Sequence, residues 1–281
     1  MRTFAKLAAI AATSTLALAA CSTATEPAKD AAPAADGAAA EVVTLRVGAS
    51  PTPHAEILQF VDENLAADAG LDLEITEYTD YVQPNVALDA GDLDANYFQH
   101  VPYLEEEMAT KGYTFEHGAG IHIEPMGIYS TTVKSLDEVE DGAEVIIPND
   151  ATNGGRALKL LAANGLLTLA DGVANPTVAD ITENPKNLSI VESDAAAVPI
   201  QYGDAALGVI NSNFAIENGI NPTADALAIE DGADNPYSNI LAWKAGSDKL
   251  DSVKKLDELL HSQEVADFIN STFEGALIPA F

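Results

Sequence analysis

Between Asp80 and Tyr103 the chain reads DYVQPNVALDAGDLDANYFQHVPY, and four aromatics, Tyr81, Tyr97, Phe98 and Tyr103, fall beside His100. Aromatic faces gathered at strand-to-helix turns make a wall for a small, partly apolar ligand. Core packing at loop ends is the alternative use of the same side chains. Arg156 adds complementary chemistry at the end of the polar run 148–156, PNDATNGGR, and beyond residue 20 the only other arginine is Arg46. A guanidinium grips a carboxylate through two parallel hydrogen bonds, which a lysine cannot copy. The alternative is a surface pair with one of the many acids. Asn211, Ser212 and Asn213 follow an apolar run. Amide side chains both donate and accept, which suits a zwitterion, although asparagine at a strand end also serves simply as a turn residue.

Catalytic groupings are missing from the motifs. The chain has no G-x-S-x-G, no H-E-x-x-H and a single cysteine, Cys21. Neither an enzyme nor a cofactor is therefore expected. His117 and His122 with Glu124 can be drawn as a metal site, but their spacing matches no common zinc pattern. A metal-binding lipoprotein using His117 and His122 stays open as an alternative. Glu105, Glu106 and Glu107 point in different directions on a helix and read as a solvated face.

The elements that would position these residues alternate between strand and helix. Strands are expected at 43–47, 71–76, 95–98, 145–147, 188–191, 206–210 and 240–243 from their apolar patterning. Helices are expected at 54–66, 101–111, 157–163 and 195–200, with two amphipathic ones across 249–273. The run 121–131, broken by Pro125, reads as a strand that crosses between lobes. The segment 148–156 reads as a glycine-rich turn into a helix, whose free amides would form an anion site. This alternation argues for an α/β fold with mainly parallel sheets.

At the amino terminus, Arg2 and Lys6 precede an apolar stretch too short to span a bilayer, which has the charge order of a secretory signal. It ends in Leu-Ala-Ala-Cys21, similar to the bacterial signal in which the cysteine becomes the lipidated first residue. Residues 21–41 are rich in Ala, with Pro, Thr, Asp and Glu, a composition expected of a disordered stalk. Removing residues 1–20 takes away two basic groups and no acidic ones, so the formal charge of −31 becomes −33. A field of that sign repels phosphate backbones and argues against nucleic acid as a partner.

Six stretches carry a family likeness. They are 80–85 (DYVQPN), 95–104 (ANYFQHVPYL), 125–130 (PMGIYS), 148–158 (PND to RAL), 183–188 (ENPKNL) and 235–239 (NPYSN). In order and spacing they resemble the NlpA-type methionine-binding lipoproteins of ABC importers. The resemblance implies a two-lobed, periplasmic-binding-protein-like α/β fold of type II with the ligand in the cleft between lobes. Lobe 1 would be 42–125 plus 232–281 and lobe 2 would be 126–231, closing about Met126 and Ser238. It implies that Arg156 holds the ligand carboxylate, that Asn211 and Asn239 bind the polar end, and that Tyr81, Phe98, His100 and Tyr103 line the side-chain pocket. It also implies methionine, another small amino acid or a methionine-containing dipeptide as ligand, and an ABC permease with its ATPase as partners. The protein would be a monomer anchored by palmitate and other lipid on Cys21 to the extracytoplasmic face of the cell membrane.

Overall fold

The computed structural model describes residues 42–233 and 235–281. The signal expected at 1–20, the lipidation expected at Cys21 and the stalk expected at 21–41 lie outside the described residues. Among the described residues no helix is long and apolar enough to cross a membrane.

The chain builds two main sheets. The first holds β1 (Val43–Ala49), β2 (Leu71–Glu77), β3 (Ala95–His100), β4 (Phe115–His117) and β5 (His122–Ile123). The second holds β6 (Gly127–Tyr129), β7 (Glu144–Pro148), β10 (Ser189–Ser193), β11 (Leu207–Ile210) and β12 (Ala228–Ile229), while β8 (Thr168–Leu169) and β9 (Ile181–Glu183) form a separate hairpin. The chain then returns to the first sheet with β13 (Ser238–Lys244) and β14 (Ile278–Pro279).

Both sheets are mixed, where mainly parallel ones were expected. β1, β2 and β3 run parallel, as do β7, β10 and β11. The strands at the two passages between sheets enter the other way: β13 is antiparallel to β3, and β6 is antiparallel to β11. Helical crossovers give parallel neighbours, whereas a direct passage from one sheet to the other imposes no such direction. The expected single run at 121–131 is therefore two short strands, β5 and β6, in different sheets.

Each sheet has its own packing. Leu45, Val47 and Trp243 pack against a helical stretch that includes α1 (Glu56–Val61) and against α7 (Leu250–Leu260) and α8 (Gln263–Phe273). The opposite face holds Ile240 and Ala242 with Leu88 of α2 (Gln83–Ala90) and Leu104 of α3 (Val101–Lys111). In the second sheet, Val145, Ile147 and Val209 pack with Leu158 and Leu161 of α4 (Ala151–Ala163). Its other face packs Ile146 and Ile210 with Val198 of α5 (Val198–Gln201) and Phe214 of α6 (Ser212–Glu217). Tyr81, carried on a loop of the first sheet, packs partly buried against this last cluster.

Candidate functional site

The carboxyl ends of the parallel strands of both sheets lead into one cavity. Strand carboxyl ends are where open α/β sheets place ligands. All seven expected site residues line it: Tyr81, Phe98, His100, Tyr103, Arg156, Asn211 and Asn239. Gln99, Glu124, Asn153 and Ser212 complete the lining.

Local sequence explains how the aromatic wall is presented. In the pairing of β13 with β3, Tyr97 faces Leu241 and Gln99 faces Ile240, which leaves Phe98 as the extra residue of a bulge. A bulge interrupts strict alternation and re-aims a side chain, and here Phe98 enters the cavity wall. Tyr97 is the one aromatic of the run that is absent from the cavity lining. It is buried in the core, where its hydroxyl meets His122 Nδ1. Tyr81, Phe98 and Tyr103 stand with ring centroids 5.9 to 6.1 Å apart.

His100 ends β3 and caps α3, its Nδ1 accepting from the Tyr103 amide at 3.1 Å. That fixes the proton on Nε2, which donates to Asn153 Oδ1 at 3.2 Å. Burial, reinforced by the nearby Arg156 charge, pushes the His100 pKa down to about 3, so the ring is neutral at physiological pH.

The segment 148–156 differs from expectation. The helix starts at Ala151, so Asn153, Gly154, Gly155 and Arg156 form its first turns rather than a loop before it. Asp150 caps it, accepting from the Asn153 amide at 2.8 Å, so the chain's own carboxylate fills the expected anion site. A Cβ on Gly154 would stand 2.8 Å from the Pro148 carbonyl oxygen, which requires glycine at this close approach. Asn153 and Arg156, three residues apart on one helical face, both reach the cavity.

Arg156 is buried and already paired. Its Nε donates to Glu230 Oε1 at 2.9 Å, and its Nη2 donates to Glu230 Oε2 at 2.6 Å and to the Glu124 carbonyl at 2.7 Å. Tyr237 lies 4.2 Å below the guanidinium carbon. This arrangement fixes the fork and leaves Nη1 as the nitrogen for a further acceptor. Asn211 Nδ2 donates to Asn153 Oδ1 at 3.0 Å, while Asn211 Oδ1 is buried without a protein partner.

Under Asn239 lies a buried network. Glu124 Oε1 accepts from His122 Nε2 at 2.8 Å, and Glu124 Oε2 accepts from the Asn213 amide at 3.1 Å. His54 Nε2 faces two acceptors, Asn239 Oδ1 at 3.0 Å and Glu124 Oε1 at 3.3 Å, so it carries the proton. Burial would raise the Glu124 pKa, but His54, the His122 hydrogen bond and the Asn213 amide together hold it below the ordinary carboxylate range. Burial pushes His54 down to about 4 despite Glu124. The metal site expected at His117 and His122 does not match the structure. His117 is exposed and bonds the Gly118 carbonyl, whereas the three-donor group among the described residues is His54, His122 and Glu124. Three N–H donors, from His122, His54 and the Asn213 amide, account for the polar atoms facing Glu124.

Sequence reasoning missed His54, Asn153, Glu230 and Tyr237 as parts of this assembly. Asn153 had a usable signal, its spacing of three from Arg156. Glu230 had none, since 74 residues separate it from Arg156 and it is one acid among many.

The sequence model of the NlpA lipoprotein family matches residues 45–281. The methionine-binding lipoprotein MetQ of Bacillus subtilis is 42% identical over 240 residues, covering 83% of this chain and 86% of its own length. A nutrient binding protein from Burkholderia cenocepacia, solved bound to methionine, superposes with a TM-score of 0.81 at 41% identity, covering 84% of this chain and all of that one. An ABC transporter periplasmic substrate-binding protein from Coxiella burnetii gives 0.80 at 36% identity, again covering 84% of this chain and all of its own. With a two-sheet α/β frame, a cavity between the sheets and a family match over nearly all of its described length, the chain belongs to the NlpA lipoprotein family.

Proposed function

We propose that this protein is the extracytoplasmic binding protein of an ABC importer and that it holds methionine in the cavity between its sheets. The polarity of that cavity carries the reading. Arg156 Nη1 lies at one end as a donor for a carboxylate. His54 takes the Asn239 carbonyl oxygen, which turns the Asn239 amide hydrogens to the same task. Asn211 Oδ1, buried and unpartnered, is the acceptor for an ammonium. Tyr81, Phe98, Tyr103 and the neutral His100 receive the side chain. A thioether against aromatic faces contributes roughly 0.3 to 1.5 kcal/mol, and the neutral imidazole avoids placing a charge beside it. The naming of relatives as methionine-binding and as transporter components supports the same assignment.

Lobe 1 would comprise 42–125 and 232–281, and lobe 2 would comprise 126–231, with closure about the two passages near Met126 and Ser238. A ligand touching both walls shifts such an equilibrium toward the closed form. A lipid on Cys21 would tether the monomer to the outer face of the cell membrane, where it meets the permease and its ATPase.

Native mass spectrometry of the protein purified without added ligand, before and after gentle unfolding, tests this reading. A bound mass equal to methionine, or one taken up on adding it, is the expected result. Retention of a dipeptide would move the assignment within the transport role. Retention of a metal ion would move it to the His54, His122 and Glu124 group. An empty protein unaffected by methionine would overturn it.

A further inference from the structure

Beside the ligand cavity, three buried polar atoms without partners lie on α6 of the second sheet and on the segment after β1 that packs against it. They are Glu217 Oε1, Asn213 Nδ2 and Thr52 Oγ1. The Glu217 carboxyl lies beside the Asn213 side chain on its own helix and the Thr52 backbone amide on the other side of the junction. Among the described residues the charges that act on it are acidic. Glu77 approaches from the end of β2 and Glu124 from the passage between β5 and β6, with the Tyr81 phenol from the loop after β2 close enough to feel it. His54, two residues from Thr52, turns its Nε2 to Glu124 and Asn239. No lysine, arginine or histidine pairs with Glu217 among the described residues.

A half-buried carboxylate facing two others and no cation is disfavoured as an anion. As a neutral acid it gains a donor, and Thr52, whose backbone lies beside it, carries an unpartnered hydroxyl. We infer that Glu217 is a proton-binding site at the junction of the two lobes, which takes one proton from solvent as the lobes close on the ligand and releases it as they open. Desolvation first, then Glu124 and Glu77, push its pKa up to about 7, against opposing contacts from Asn213 and Thr52. Opening removes Thr52, Glu77 and Glu124 from α6 and rehydrates the carboxyl, so its pKa falls back toward the ordinary value. Asn213 connects this site to the cavity wall, since its Oδ1 accepts from the Tyr81 hydroxyl and its amide donates to Glu124.

The sign follows from linkage. A carboxyl with its pKa raised in the closed state favours closure at low pH, and that advantage fades as pH rises through 7. Methionine affinity should weaken about three- to tenfold from pH 6 to pH 8, the lower figure allowing for screening of a half-exposed group.

The inference rests on the methionine reading, and the two fail differently in calorimetry. L-methionine is titrated into the wild-type protein and Glu217→Gln at pH 6 and pH 8, each in buffers of low and high ionisation enthalpy. For wild type, buffer-dependent heat equivalent to nearly one proton taken up at pH 6, little uptake at pH 8 and the stated loss of affinity are expected. Glu217→Gln should bind at pH 8 about as tightly as wild type does at pH 6, without proton uptake. Binding by wild type that is independent of pH and buffer would overturn the proton site alone, as would an unchanged pH profile in the variant. No binding heat under any condition would overturn the methionine reading, and the inference with it.

Discussion

Tyr81 donates its phenolic hydrogen to Asn213 Oδ1 across 2.6 Å, joining a loop of the first sheet to a helix of the second. The ring behind that hydroxyl packs 4.8 Å from Phe214 and lines the cavity. Tyr81 is thus both wall and latch. Tyr81→Phe keeps the ring and removes the latch, leaving Asn213 Oδ1 buried without its donor. Methionine affinity should fall about tenfold, consistent with roughly 1 to 2 kcal/mol for one lost buried bond. Calorimetry checks this, and a near-normal melting temperature without methionine would place the loss in closure rather than folding.

Glu230 holds one edge of Arg156 through Nε and Nη2 and also accepts from the Met126 amide at 2.9 Å, next to the passage between sheets. Glu230→Gln preserves the shape and removes the counter-charge, so a ligand carboxylate becomes the main anion at Arg156. The melting temperature without methionine should drop, by the equivalent of about 2 to 4 kcal/mol for a broken buried pair. Methionine should then raise it by more than it does in wild type. Thermal shift measurements with and without ligand check both parts.

His54 is buried and neutral, with a pKa near 4 in the folded protein, below its ordinary value of 6.5. Between those values the unfolded chain binds the proton that the folded one refuses. Stability from this group is therefore complete above about pH 6.5 and is lost as pH falls toward 4. At pH 4.5 the loss should be about 2 to 3 kcal/mol, several degrees in melting temperature. His100 acts in the same direction, while Glu217, raised to about 7, acts oppositely between its ordinary value and 7. The His54 contribution is isolated by comparison with His54→Gln. The melting-temperature gap between wild type and variant should narrow from pH 7 to pH 4.5.

Much of this design is local and hence readable. Helix α3 begins and ends where its pattern places it, because His100 caps one end and Gly112, with φ of 79°, stops the other. The aromatics and Arg156 could be picked out because each is rare in this chain or sits at a strand or helix end. The start of α4 is hidden in the sequence because Gly154 and Gly155 look like a turn, although they are present for close packing. Sheet direction is not locally encoded, because it depends on which sheet a strand joins. The Glu230 grip on Arg156 and the His54 contact with Asn239 join residues 74 and 185 positions apart, and no local pattern encodes such pairs.

The most direct measurement is calorimetric titration of L-methionine into wild-type protein and Arg156→Ala at pH 7, with D-methionine as a second titrant. Wild type should bind one methionine per chain. Arg156→Ala should lose at least a hundredfold in affinity, in line with the 3 to 5 kcal/mol that removal of one partner of a buried pair costs. Near-normal binding by Arg156→Ala, or no binding of either enantiomer by wild type, would contradict a carboxylate held by Arg156 in this cavity.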